Sequence, residues 1–374
     1  MTGGQVPGER TANDQAPDGR ATHDQAPDGP ATGAPATGPR PTTLVIERRG
    51  TASLRSRAIA AGVRGLVQPY VGRMARRPMD ENALRRAAAF DRMAARRPAP
   101  KGTRCEPVRF DGFGAEWVHG RGVPARRDKV ILYLHGGGWV SCGLNTHRPM
   151  ISWFSAAAGV PALSVDYRMI PDVPFEKEVD DCVTAYRWLL EERGVRPENI
   201  VIMGDSAGGH LTFATALRAR DAGLPRPAAL VAISPMLDMD LSGKLAHANM
   251  KLDPSAPGLL LEALIEGFLG HLDLADPAIS PIRADLTGLP PVLLTAGSTE
   301  LLCCDSEIMA RRLAEAGVPA TLQIYDRQIH VFQLFGSFLP ESRAAIAALG
   351  GFVRDAYATA ADAAREAGPE RRTA

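Results

Sequence analysis

A chain of 374 residues that is 45% hydrophobic and 23% charged carries enough apolar side chain for one large core. Its formal net charge of +1 gives no overall field to draw in nucleic acid or a charged membrane surface. The five cysteines, Cys105, Cys142, Cys182, Cys303 and Cys304, show neither zinc-ligand nor disulfide-framework spacing, which fits reduced thiols in a cytoplasmic protein.

Residues 1–42 are Gly, Pro, Ala, Asp and Thr with almost no apolar side chains, and Asp14-Gln15-Ala16-Pro17-Asp18-Gly19 recurs ten residues later. This composition predicts a disordered tail, and without a hydrophobic stretch it is not a secretory leader. From 51 to 98 the pattern turns helical. Leu54, Ile59, Val63, Leu66 and Val67 recur at helical spacing until Pro69 interrupts, and a second helix covers about 80–95. Between Arg48 and Arg104 stand 15 Lys or Arg against 3 Asp or Glu, read as an arginine-rich helical cap rather than a lipid-binding surface. Segments 107–110 and 116–118 suggest an antiparallel start to a sheet.

Strands and helices then alternate. The apolar run 129–134 reads as a strand buried on both faces and ends in His135-Gly136-Gly137-Gly138-Trp139. Strand 162–167 leads through a Pro-rich loop to helix 179–192. Strand 199–203 meets Gly204-Asp205-Ser206-Ala207-Gly208 and then helix 211–220. After strand 228–233 the alternation breaks over 236–275, which reads as a second cap piece. Strand 291–296, helix 307–316, strand 320–325 and helix 342–360 follow, then a frayed tail over 361–374. Such alternation predicts an α/β fold with a mostly parallel central sheet flanked by helices. No run of 18 apolar residues exists to cross a membrane.

Gly204 to Gly208 between a strand and a helix is the G-x-S-x-G nucleophile elbow in the context it requires. A serine raised on so sharp a turn needs neighbours without Cβ atoms, and the following helix aims free N–H groups at it. The glycine run after His135 lets further backbone N–H groups approach a substrate oxygen. Gly136, Gly137, Gly138 and Ala207 are therefore the expected oxyanion donors.

These motifs, with Asp166-Tyr167-Arg168-Met169-Ile170-Pro171-Asp172-Val173-Pro174-Phe175 and the block His330-Val331-Phe332, resemble the hormone-sensitive-lipase-like (family IV) branch of the α/β-hydrolases. The resemblance spans about residues 45–358. It implies one α/β-hydrolase domain over 43–360, a helical cap from 51–98 and 236–275, and no cofactor or metal. It further implies hydrolysis of small carboxylic esters with short to medium acyl chains, and often a homodimer.

The fold orders its triad as serine, acid, histidine. Of the eight histidines only His330 follows a late strand; His23, His119, His135 and His147 precede Ser206, His210 is too near it, and His247 and His271 fall in the cap. His330 is thus the expected base. For the acid, many relatives carry an Asp motif that this chain lacks. Glu300, 30 residues before His330, is the first candidate, and Asp305, which reads as a helix N-cap, is the second. A silent ligand-binding protein on the same scaffold, or an amidase, stands as the alternative to an esterase.

Overall fold

Strands β4 (Val130–Leu134), β6 (Ile200–Asp205), β7 (Ala229–Ile233) and β8 (Val292–Gly297) are buried along their entire length, as their predominantly apolar sequences require. The computed structural model describes residues 43–75, 81–255 and 258–366, and the tail expected over 1–42 lies outside them. With β1 (Leu44–Arg49), β2 (Arg104–Arg109), β3 (Gly114–His119), β5 (Ala162–Asp166) and β9 (Ala320–Tyr325), the strands form one sheet. Its order is β1-β9-β8-β7-β6-β4-β5-β3-β2, and only β3 runs against the rest.

Alternate residues of each strand feed two cores, one on each face. Val130, Leu132 and Leu134 join a cluster with Val179, Leu211, Phe213 and Leu313. Ile131 and Tyr133 point the other way, to Met150, Phe154, Leu349 and Tyr357. Numbered in chain order, the helices are α1 (Leu54–Gly62), α2 (Gln68–Ala75), α3 (Glu81–Ala94), α4 (Leu144–Ala158), α5 (Phe175–Glu191) and α6 (Ala207–Asp221). There follow α7 (Ser242–Ala246), α8 (Asn249–Leu252), α9 (Gly258–Leu264), α10 (Cys303–Glu315) and α11 (Pro340–Glu366). Helices α5, α6 and α10 cover the first face; α4 and α11 cover the second.

Several expectations are corrected. β1 went unseen in the sequence and pairs in parallel with β9, Leu44 opposite Ala320 and Arg49 opposite Tyr325. An edge strand needs only one paired side, so its sequence is half charged, and Glu47, Arg48 and Arg49 blunt the open edge. Pro69 does not end the helix that begins at Leu54. A wide π turn over Val63–Val67 joins α1 to α2 without a break, and Pro69 follows it inside the continuous helix, where the widened turn takes up the backbone bond and the room that the proline ring would otherwise disrupt. Helix α11 continues to Glu366, absorbing residues 361–366 of the expected frayed tail; residues 367–374 lie outside the described residues.

Helices α4 and α11 cross at Gly350, where an added Cβ would lie 2.6 Å from the carbonyl carbon of Ala157. Replacing glycine by alanine inside a helix normally stabilises by about 1 kcal/mol. At Gly350 the sign reverses: Gly350→Ala should destabilise by roughly 1–3 kcal/mol through overpacking. Gly351→Ala, whose Cβ meets nothing nearer than Arg354 at 3.8 Å, should follow propensity. Urea titrations of both variants check the contrast.

Candidate active site

Ser206 stands between β6 and α6 with φ +55° and ψ −118°, a backbone conformation that L residues seldom adopt. The turn is pinned on both sides. The Ser206 N–H donates to the Ile233 carbonyl at 2.8 Å, and the Ser206 carbonyl accepts from the N–H groups of His210 at 3.1 Å and Met236 at 3.3 Å. A Cβ on Gly204 would sit 2.2 Å from the Gly208 carbonyl oxygen, and one on Gly208 would sit 2.0 Å from that of Leu134. Neither position can carry a side chain, which is the steric requirement the motif implied.

Loops after β8 and β9 bring the expected partners to the serine. His330 Nε2 lies 2.9 Å from Ser206 Oγ, and His330 Nδ1 lies 3.1 Å from Glu300 Oε2. Glu300 is fully buried, and its Oε1 accepts the Gly297 N–H at 3.0 Å. Burial by itself lowers the His330 pKa, but the hydrogen bond and negative charge of Glu300 outweigh it and raise the imidazole above its usual 6.5. With Glu300 accepting from Nδ1, Nε2 is left to accept the serine proton.

Asp305 is not part of this cluster. Nor is it an N-cap, because α10 begins two residues earlier. Its buried carboxylate pairs with Lys244 at 2.9 Å and accepts the N–H groups of Leu237 at 2.7 Å and Asp238 at 3.1 Å. The residue ties α7 and the loop after β7 to α10. Its pattern of acid before helix resembled a cap only because an N-cap and the partner of a distant lysine use the same residue type.

The glycine run after β4 lies directly against the serine: a Cβ on Gly136 would come within 3.1 Å of Ser206 Cβ. Gly136 does not present its amide to the site, however. Its N–H donates to Asp205 Oδ1 at 3.2 Å, so Gly136 supports the loop instead of joining the expected donors. No described acceptor engages the N–H of Gly137, Gly138 or Ala207. Gly137 takes φ +133°, and a Cβ there would fall 2.0 Å from the Ser141 carbonyl oxygen. The loop is further held by Tyr167, whose hydroxyl donates to the His135 carbonyl at 2.7 Å. His135 itself is buried, and burial followed by the nearby His147 lowers its pKa to about 4, so it is neutral.

Sequence reasoning missed the group beneath these elements. Asp205 is buried beside Ser206 and gathers three partners: the Tyr133 hydroxyl at 2.7 Å, the Gly136 N–H, and His147 Nε2 at 3.2 Å. For His147, burial lowers the pKa, but the Asp205 carboxylate overrides it and raises the value. For Asp205, burial raises it, while His147 and Tyr133 override that and lower the value. Each shift favours the charged form of its group. Asp205 occupies a variable position of the motif and His147 is merely a histidine near a helix start; nothing in their spacing joins them.

Substituting His147 by Leu would strand the Asp205 charge and is expected to cost about 3–5 kcal/mol. The pair's contribution is lost as pH falls through the lowered Asp205 pKa and as pH rises through the raised His147 pKa. The stability gap between wild type and His147→Leu should thus be widest between those two values. Urea titrations in steps of pH measure it, and a gap that stayed flat would contradict the ion pair.

Among the described residues no group of three or more His, Cys, Asp or Glu is arranged to hold a metal ion. All five cysteines are free thiols. No helix of the described residues is long and apolar enough to cross a membrane.

Comparison with known proteins identifies the family. A family model described as the alpha/beta hydrolase fold matches residues 131–334. The esterase LipU of Mycobacterium tuberculosis is 38% identical over 257 residues, spanning 67% of this chain and 86% of the relative. An acetyl-hydrolase of Streptomyces hygroscopicus is 40% identical, spanning 65% of this chain and 80% of its own. The crystal structure of an esterase from the bacterial hormone-sensitive lipase family matches with a TM-score of 0.71 and 37% identity, over 80% of this chain and 98% of the other. A strained serine elbow, a glycine-rich loop against it and relatives that share most of the chain together place this protein in the α/β-hydrolase fold family, in its hormone-sensitive-lipase-like esterase branch.

Proposed function

We propose that this protein is a serine carboxylesterase that cleaves small to medium acyl esters through an acyl-enzyme, with Ser206, His330 and Glu300 as its triad. The reading rests above all on the hydrogen-bonded line from Ser206 Oγ through His330 to Glu300. His330 Nε2 takes the Ser206 proton as Oγ attacks the ester carbonyl carbon. The oxygen that becomes anionic meets the free N–H groups of Gly137, Gly138 and Ala207. His330 then gives its proton to the departing alkoxide. Water attacks the acyl-enzyme, His330 takes a proton from it, and the acid product leaves as Ser206 recovers its own.

Glu300 holds the Nδ1–H tautomer and stabilises the imidazolium formed in each half. Keeping both His330 and a buried acid speaks for turnover against the alternative of a silent binding protein. A cavity of about 500 Å³ runs between α3, α4 and the segment after His330, lined by Phe90, Met93, Cys142, Met150, Trp153 and Phe335. Arg97, Asn145, Thr146 and His147 also line it, and its volume is that of a site for a short to medium acyl chain. Helices α1 to α3 and α7 to α9 form the cap in this reading.

The test is hydrolysis of p-nitrophenyl esters from acetate to decanoate. Ser206→Ala should abolish turnover, whereas Asp305→Asn should keep it in whatever fraction stays folded. Glu300→Gln should lower kcat by on the order of 10⁴. The acid limb of kcat/KM reports the free imidazole and should have its midpoint above 6.5 in wild type. Glu300→Gln should move that midpoint downward, because burial then acts without the opposing carboxylate. Folded wild type that turned over none of these esters would overturn the proposal.

A further inference from the structure

The arginine-rich stretch, which composition alone assigns to a cap and not to a lipid-binding surface, has an outer face that revises this expectation. The continuous helix from Leu54 to Ala75 covers the loop carrying His330 with Ile59, Ala60 and Val63, which pack against Ile329 and Phe332. It leaves Leu54 82% exposed, Leu66 78% and Tyr70 60%, and beside it Phe338 is 59% exposed under the guanidinium of Arg55. All the large exposed hydrophobic side chains among the described residues lie on the cap helices or on residues 334–338, except Val45, Ile46 and Ile308. Isolated apolar side chains on a surface are ordinary, but Leu66 and Tyr70 lie one turn apart on this helix, and Phe338 is joined to its start by Arg55, which makes a patch of the kind that marks an interaction site.

Charge selects the partner. Arg55, Arg57, Arg64, Arg73, Arg86 and Arg92 are all exposed on these helices, and none pairs with a described carboxylate. Arg55 and Arg64 do donate to backbone carbonyls, of Phe338 and of Lys251 and Leu252, which fixes them on the same outer rim. Asp91 on α3 is turned inward onto Asn145 and Thr146. A second copy of this chain would set arginine against arginine. Leucine and aromatic tips among unpaired arginines instead match a bilayer surface with anionic headgroups.

We propose that the outer face of the cap, built on Leu54, Leu66, Tyr70 and Phe338 with the surrounding arginines, docks the protein on an anionic phospholipid surface. The apolar tips enter the headgroup boundary and the arginines meet lipid phosphates, which sets the roof of the site against the membrane. This binding does not depend on the ester reaction, so it can be tested apart from it.

The full chain is sedimented with sucrose-loaded vesicles of phosphatidylcholine, with or without about 30% phosphatidylglycerol. Binding is expected only with phosphatidylglycerol and should largely vanish between about 0.05 and 0.5 M salt. Arg64→Ser and Arg73→Ser should each weaken partitioning about fivefold. Leu66→Asp combined with Tyr70→Asp should weaken it at least about tenfold. Hydrolysis of soluble p-nitrophenyl acetate should stay unchanged in these variants, which shows that they fold. No sedimentation with anionic vesicles, or equal sedimentation with phosphatidylcholine alone, would overturn the proposal. So would a wild-type dimer that the Leu66→Asp and Tyr70→Asp changes dissociate, since that would assign the face to a second copy.

Discussion

The buried carboxylate of Asp205 is the point on which the arrangement of the site depends. It belongs to β6, one residue before the serine, yet its two oxygens reach the end of β4 through Tyr133 and Gly136 and the start of α4 through His147. The serine turn and the glycine loop come from different strands, and a shared charge sets their spacing. A carboxylate in that setting would be intolerable alone. His147 balances it, and the Gly136 amide and Tyr133 hydroxyl occupy its remaining lone pairs. A buried pair of this kind adds little net stability compared with an apolar replacement. What it supplies is direction, since hydrogen bonds fix angles that hydrophobic contacts do not.

Steric exclusion completes what the charge begins. Ser206 can keep its unfavourable φ only because the strand before it and the helix after it are held by Ile233, His210 and Met236. The glycines around it lie so close to carbonyl oxygens of β4 and α6 that any Cβ would collide with backbone. The free amides of Gly137, Gly138 and Ala207 are therefore fixed before substrate arrives. Dipoles fixed in this way need no reorganisation to meet a negative charge, which is what the proposed reaction asks of them.

Sequence alone carried those parts whose requirement is local. A glycine two places from a serine, a strand before it and a helix after it are all adjacent in the chain, so the elbow could be read directly. His330, singled out by elimination, and Glu300, singled out by its spacing to His330, do lie within hydrogen-bond reach of Ser206 and of each other. What failed was whatever depends on a distant partner. Asp305 looked like a helix cap because Lys244, 61 residues away, leaves no mark on its neighbourhood. Gly136 looked like a donor because the Asp205 oxygen that claims its amide lies 69 residues on. β1 was invisible for a different reason: an edge strand buries so little that its sequence need not alternate.

The same partner-dependence links the cap to the chemistry. Asp91 on α3 accepts the Thr146 N–H at 2.8 Å and the Thr146 hydroxyl at 2.9 Å, and Asn145 donates to its other oxygen at 2.7 Å. Burial alone would raise the Asp91 pKa, but these donors, led by the Thr146 amide, hold it below the usual value. It thus serves α4 as a capping carboxylate supplied by another helix, satisfying amides that Gly143 at the helix start has no side chain to reach. Thr146 Oγ1 lies 3.0 Å from His147 Nδ1, and His147 in turn holds Asp205. A line of hydrogen bonds therefore runs from the arginine-rich helix α3 to the residue beside the nucleophile. Helix α3 is seated on the same helix start that holds Asp205 and, through it, the glycine loop, so a substitution that dislodged α3 would disturb the support of Asp205 as well as the walls of the cavity.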